Sequence, residues 1–249
     1  MSNKVILITG ASRGIGAATA LAAAAQGWQV CINYRNRQAE AQALVERITA
    51  GGGSANCFAA DVGQQDQVQA LFQFVDDSFG RLDALVNNAG IIDRSVRIQD
   101  MDQQRLERMF QINIVGSFLC AGAAVRRMAT SEGGEGGAIV NLSSVASRIG
   151  SPGEFIDYAA SKGAIDTLTI GLAKELAAEG IRVNAVRPGL IDTDIHADTG
   201  DAERPVRLAP SVPMQRTGTP EEVASCILWL LSDQAGYVTG SILDVAGGR

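Results

Sequence analysis

The chain is short of histidine, of paired cysteine, of net positive charge and of long apolar runs, and each shortage closes a class of function. One histidine, His196, stands among 249 residues. A histidine-built zinc site or a Ser-His-Asp triad therefore has little to work with. The four cysteines, Cys31, Cys57, Cys120 and Cys226, form no CxxC pair, and three lie in apolar runs. They read as buried free thiols of a cytoplasmic protein, neither disulfides nor metal ligands, and no metal is expected. The formal net charge is −6, whereas a nucleic-acid partner calls for clustered Lys and Arg. The opening MSNKVILITG is too poor in apolar residues before Gly10 for a signal peptide, and no apolar run approaches the ~20 residues of a membrane span. Neither nucleic acid nor membrane is expected as a partner.

What is present is material for a large core: 46% hydrophobic residues against 19% charged. Apolar, β-branched runs alternate with helical patterns at the spacing of βαβ units. Strands are expected at Lys4–Thr9, Gln29–Tyr34, Ser54–Ala60, Leu82–Asn87, Ala138–Ser143, Ile181–Arg187 and Ser241–Val245. Helices are expected between them, including a long one from about Gln104 to Met128 and another over Ile156–Glu179. Thr219-Pro220-Glu221-Glu222 has the form of a capping box at a helix start. Most of the strands are apolar throughout, which suits a parallel sheet buried on both faces. The expectation is an α/β fold: a three-layer, doubly wound parallel sheet of Rossmann type, about seven strands with helices on both faces. No linker divides residues 1–249, so one domain is expected. The irregular stretch 190–219, which holds three of the six prolines, would form a lid over the crevice at the strand ends.

Two stretches carry chemistry. Between the strand AIVNL and a long helix lie Ser143, Ser144, a Gly/Pro loop, Tyr158 and Lys162. Residues four apart share a helix face, so Tyr158 and Lys162 point the same way. An ammonium beside a phenol is expected to pull the phenol's pKa down, because the cation favours phenolate. A serine at the preceding strand end can reach the same spot. That is the outline of a site that reduces a carbonyl or oxidises an alcohol, and it needs a hydride source.

The stretch Thr9–Gly16, TGASRGIG, follows the first strand and opens the first helix. Its glycines permit a tight turn and close approach of a pyrophosphate, and the helix N-terminus offers N–H groups and a positive dipole end. Its spacing is GxxxGxG, and the bland reading is a packing turn. At the end of the second strand, where NAD-binding units usually place an acid, stand Asn33-Tyr34-Arg35-Asn36-Arg37. With Arg13 these arginines would welcome a 2′-phosphate, so NADP(H) is expected over NAD(H). The competing reading is a solvated helix start.

Taken in order, TGASRGIG at 9–16, Asp61-Val62, Asn87-Asn88-Ala89-Gly90, Asn113, Ser144, Tyr158-x-x-x-Lys162 and Pro188-Gly189 make the whole chain resemble the short-chain dehydrogenase/reductase family. The run VNLSSVASRIGSPGEFIDYAASKGAIDTLT is similar to that of glucose-dehydrogenase-like and 3-oxoacyl-carrier-protein-reductase-like members. The resemblance implies a catalytic set of Asn113, Ser144, Tyr158 and Lys162. Tyr158 would be acid or base, Ser144 the donor to the substrate oxygen, and Lys162 a ligand of the ribose. Asn113 would hold a water in a proton relay. The cofactor would lie on Gly10, Ser12, Arg13, Gly14, Ile15 and Gly16. It would extend past Asn33, Tyr34 and Arg35, then Asp61 and Val62 at the adenine, and Asn87, Ala89 and Gly90 at the ribose. Pro188, Gly189, Ile191 and Thr193 would meet the nicotinamide end. The family's serine often precedes the tyrosine by about 13 residues; here Ser144 precedes by 14 and Ser143 by 15, so Ser143 is the alternative. The resemblance also implies a homotetramer acting on a small carbonyl or alcohol. Oxidation of a sugar or polyol, or an NADP(H)-binding sensor without turnover, are the competing functions.

Overall fold

A computed structural model describes residues 4–193, 200–201 and 203–249. His196 and Ile195, the latter expected in the lid, lie outside the described residues. The chain alternates strand and helix: β1 (Val5–Ile8), α1 (Gly14–Ala25), β2 (Gln29–Tyr34), α2 (Gln38–Ala50), β3 (Ser54–Ala59), α3 (Gln65–Phe79) and β4 (Ala84–Asn87). Then come α4 (Gln103–Phe110), a π-helical turn (Gln111–Val115), α5 (Gly116–Met128), β5 (Gly137–Leu142), α6 (Ala146–Ile149), α7 (Ile156–Leu176) and β6 (Ile181–Pro188). Last are α8 (Arg204–Leu208), α9 (Pro220–Leu231) and β7 (Ile242–Val245).

The strands make one seven-stranded sheet in the order β3-β2-β1-β4-β5-β6-β7, parallel at every pairing. The expected doubly wound α/β architecture is what the chain adopts. Winding runs outward from β1 to β3, then restarts on the other side of β1 at β4. That reversal opens a crevice at the C-terminal strand ends.

Alternation within each strand splits the core into two layers. Ile6, Ile8, Val30, Ile32, Val86 and Val140 pack towards Ala20 and Ala23 of α1, Leu44 and Ile48 of α2, and Val223 and Ile227 of α9. Val5, Leu7, Leu85, Ile139 and Val183 face the other way, onto Leu71, Phe72 and Val75 of α3, Cys120 and Ala124 of α5, and Leu176 of α7. Each such aliphatic side chain stabilises the fold by about 1.5–3 kcal/mol relative to exposure. The Thr219 capping box forms: Thr219 N–H donates to Glu222 Oε2 at 2.8 Å, and Glu222 N–H to Thr219 Oγ1 at 3.3 Å.

Three expectations change. The edge strands are not buried on both faces: β3 alternates exposed and half-buried positions, and β7 is only half-buried, because each has a neighbour on one side only. For the same reason Cys57 on β3 is only partly covered, as is Cys226, while Cys31 and Cys120 are buried thiols. Third, the long helix runs from Gln103 to Met128 but is interrupted by the π turn at Gln111–Val115. By length and composition that 26-residue stretch could cross a bilayer, but half of its most apolar part is buried against the rest of the protein. It is a core helix.

Candidate active site

The glycine loop is fixed from two sides. Gly10 has φ +61°, and a Cβ there would stand 2.8 Å from Ala89 Cα. A side chain is thus excluded both by backbone conformation and by space. Asn33 Oδ1 accepts from Gly10 N–H at 3.1 Å, and Asn33 Nδ2 donates to the Ala60 carbonyl at 3.0 Å. From the other side Thr9 Oγ1 accepts from the N–H groups of Asn88 and Ala89, both at 3.0 Å. Asn88 Nδ2 returns to the Thr9 and Gly10 carbonyls at 2.8 and 3.0 Å. Asn33 and Asn88 therefore spend their side chains holding the loop open. Thr9 and Asn88 are the positioning residues that motif spacing alone did not single out.

Beyond the loop lies a cleft of about 390 Å³. At one end it is lined by Ser12, Arg13, Arg35, Arg37, Asp61 and Val62, and at the other by Ser144, Tyr158, Lys162, Gly189 and Thr193. Arg35 leans on Asp61, Nη1 to Oδ2 at 3.4 Å, in an exposed pair. Arg37 pairs with Glu40 at 3.1 Å. The first turn of α1 carries no acidic residue, so nothing there opposes an approaching phosphate. Gly10, Gly14 and Gly189 also line the cleft; a Cβ on Gly189 would meet Ala246 at 2.8 Å. This shape and donor set fit a dinucleotide.

Four predicted cofactor or catalytic residues lie off the cleft wall. Gly16 serves packing, since a Cβ there would approach Asn88 Nδ2 to 2.6 Å. Tyr34 is 8% exposed and joins the core with Ile32 and Leu44, because its side chain falls on the inward face of β2. Asn87 bridges the sheet and α5, donating to Asn141 Oδ1 at 3.0 Å and to the Ser117 carbonyl at 3.2 Å. Asn113 sits buried in the π turn. Its Oδ1 accepts from Ile91 N–H at 2.8 Å, and its Nδ2 donates to the Ile91 carbonyl at 2.9 Å and to Ser161 Oγ at 3.1 Å.

The chemical end is built by the start of α7. Tyr158 and Lys162 lie one turn apart, with Lys162 Nζ 5.7 Å from the Tyr158 ring centroid. Nζ donates to the Leu142 carbonyl at the end of β5 at 2.7 Å. Gly90 lies beside this pair: a methyl there would make ordinary 3.4 Å contacts with Lys162 Nζ and Asn113 Oδ1. The two serines differ. Ser143 is 3% exposed and donates to the Lys162 carbonyl at 3.2 Å. Ser144 stands beside Tyr158 on the cleft wall and accepts from Ala146 N–H at 3.1 Å.

The expected lowering of the tyrosine's pKa is reversed in this state of the protein. Tyr158 keeps part of its surface open to the cleft, but the packing around it strips the phenolate of water and pushes the hydroxyl up, with neighbouring Ser144 opposing. The lysine lies over the ring. Burial pulls Lys162 itself down to about 8, against the pull of Asp166.

Around this end stand groups outside the predicted set. Arg105 forks onto the fully buried Asp157 carboxylate next to Tyr158, Nε to Oδ2 at 2.7 Å, and donates to the Arg94 carbonyl at 2.7 Å. Arg204 forks onto Glu154 at 2.9 and 2.7 Å and lies 5.0 Å from the Phe155 ring centroid. Phe155, Arg204 and the terminal Arg249 line the cleft. Among the described residues, no three His, Cys, Asp or Glu side chains gather as a metal cluster.

A family model described as enoyl-(acyl carrier protein) reductase matches residues 10–249. The chain is 53% identical over 245 residues to an uncharacterised oxidoreductase, YgfF, of Escherichia coli, covering 98% of this chain and 99% of that one. It superposes with TM-score 0.93 and 37% identity on a short-chain type dehydrogenase/reductase of Mycobacterium marinum, covering 99% and 95% of the two chains. A 3-ketoacyl-(acyl-carrier-protein) reductase of Brucella melitensis, solved with NADH, aligns with TM-score 0.90 and 32% identity over 99% and 98%. On these matches, and on the fold and cleft that accompany them, the chain belongs to the short-chain dehydrogenase/reductase family of oxidoreductases.

Proposed function

We propose that the protein is an NADP(H)-dependent oxidoreductase that interconverts a small carbonyl and its alcohol, with Tyr158 as acid in reduction and base in oxidation. The observation that carries this reading is one cleft with a glycine loop and Arg13, Arg35 and Arg37 at one end, and Ser144, Tyr158 and Lys162 at the other. A bound nicotinamide would supply or accept the hydride. The chain's own groups do the rest. Ser144 holds the substrate oxygen beside the Tyr158 hydroxyl and steadies the charge that develops on it. A phenol kept protonated by burial has its proton ready for that oxygen. Lys162, charged below about pH 8, lies against the ring and favours the phenolate left behind.

Asn113 ties Ile91 to the Lys162 side of the cleft through its side chain, and its main-chain carbonyl, which already accepts from Ser117 Oγ at 3.1 Å, would use its second lone pair to hold a water in a relay to the lysine. The segment 190–219 would act as the lid of a single-domain enzyme. Val115 and Phe118 near α5, Ile170 on α7, and Trp229 and Tyr237 towards the C-terminus are exposed apolar side chains of the kind a homotetramer would cover. Comparison of kcat/KM for NADPH and NADH over a panel of ketones, aldehydes and sugar lactols tests the reading. Turnover with NADPH supports it. Tight NADPH binding with no turnover on any of them would instead fit a sensor.

A further inference from the structure

Tyr158, Lys162 and Asp166 occupy successive turns of α7, four residues apart, and so share a face of the helix. Asp166 has no part in the site as described, yet it is a costly residue to keep there. It is buried. Its Oδ2 accepts from Arg187 Nε at 3.1 Å and Nη2 at 2.8 Å. Its Oδ1 is buried and has no hydrogen-bond partner among the described residues. An unsatisfied buried oxygen destabilises a fold, and a small apolar side chain would avoid the cost. The charge is felt at Lys162, where it works against the loss of protonation that burial imposes.

We propose that Asp166 is a positioning residue whose carboxylate keeps the Lys162 amino group charged in a setting where burial alone would neutralise it. This rests on the reading of Lys162 as part of the active site. The other charged groups near that face of α7 are already paired. Arg187, on β6, also reaches Asp244 of β7 at 3.5 Å, and Asp244 is bonded in turn by Arg148 of α6. Asp157 is held by Arg105 of α4, and Glu154 by Arg204 of α8. β5 and the π turn bring no ionisable side chain, and Tyr158 is neutral in this state. Asp166 is thus the anion on Lys162's own face whose carboxylate is bonded through one oxygen only.

The chain has three lysines, Lys4, Lys162 and Lys174, so a lysine-selective NMR titration of the cofactor-free protein can follow Lys162 directly. Asp166→Asn keeps the shape and removes the charge; the Lys162 midpoint should fall by about one pH unit, the size of shift a close charge gives. Arg187→Met removes the cation that offsets Asp166, and the midpoint should rise. A purely structural role lowers the melting temperature in both variants without moving the midpoint in opposite directions. An unchanged midpoint in Asp166→Asn overturns the proposal. Should that variant not fold, Arg187→Met decides alone: a rise supports it and no rise overturns it. NADPH-linked carbonyl reduction by the unmodified protein is read in parallel. Opposite midpoint shifts without any turnover sink the functional reading and keep the inference; turnover without midpoint shifts does the reverse.

Discussion

Ser144 stands on the cleft wall beside Tyr158, while Ser143, one residue earlier, turns inward and donates to the Lys162 carbonyl at 3.2 Å. The pair divides substrate contact from support. Ser144→Ala should lower kcat by about 10²–10³, the usual cost of losing one donor to a developing oxyanion. Ser143→Ala should leave most of kcat and cost about 1 kcal/mol of stability. Steady-state kinetics and thermal melts on the two variants check this, and the reverse pattern would make Ser143 the catalytic serine.

The burial of Lys162 sets a pH dependence. Its pKa is lowered to about 8, so the charge is present below that pH and is lost as pH rises through it. Tyr158 is shifted the other way and keeps its proton over the same window. Carbonyl reduction should therefore decline above about pH 8 on account of the lysine, with the phenol still protonated. A kcat profile between neutral and alkaline pH measures this; a flat profile across that range would separate Lys162 from the rate.

Arg105 and Asp157 form a pair with side chains 10% and 0% exposed. It joins α4 to the turn that carries Tyr158 and, through the Arg94 carbonyl, to the loop after β4. Arg105→Met leaves a buried carboxylate alone and should destabilise the fold by about 3–5 kcal/mol. Replacing both partners with apolar residues should recover much of that loss. Chemical denaturation of the single and double variants tests the claim, and equal losses in the two would show that packing, not the unpaired charge, dominates.

Much of this is legible in the sequence. Strand runs such as VILI and ALVN are apolar because they are covered on both faces, so the central sheet could be read from composition. The edges could not: β3 and β7 differ from the centre by what lies beside them, which is tertiary information. Tyr158 and Lys162 were readable from helix period alone. Asn33, Tyr34 and Asn113 were less so. Strand alternation could have sent Tyr34 to the core, but nothing local shows that Asn33 spends its amide on the glycine loop. Nor does it show that Asn113 sits in a π turn with its side chain committed to Ile91. The direction of the Tyr158 shift is not legible in sequence, because a neighbouring cation is visible there and desolvation is not.

Arg35 is exposed and loosely paired with Asp61, which leaves it available to a 2′-phosphate at the mouth of the cleft. Arg35→Glu should lower kcat/KM for NADPH by about 10–100-fold, the worth of a charge-assisted hydrogen bond, and change NADH use little. Kinetics with both cofactors give the ratio directly. A variant whose two values fall together would place the selectivity elsewhere.

The most direct test is Tyr158→Phe, which removes one oxygen and keeps the ring under Lys162. NADPH binding by fluorescence titration should be nearly unchanged, while single-turnover carbonyl reduction should fall by about 10²–10⁴, the usual contribution of a placed proton donor. Reduction at close to the normal rate by this variant would contradict the account.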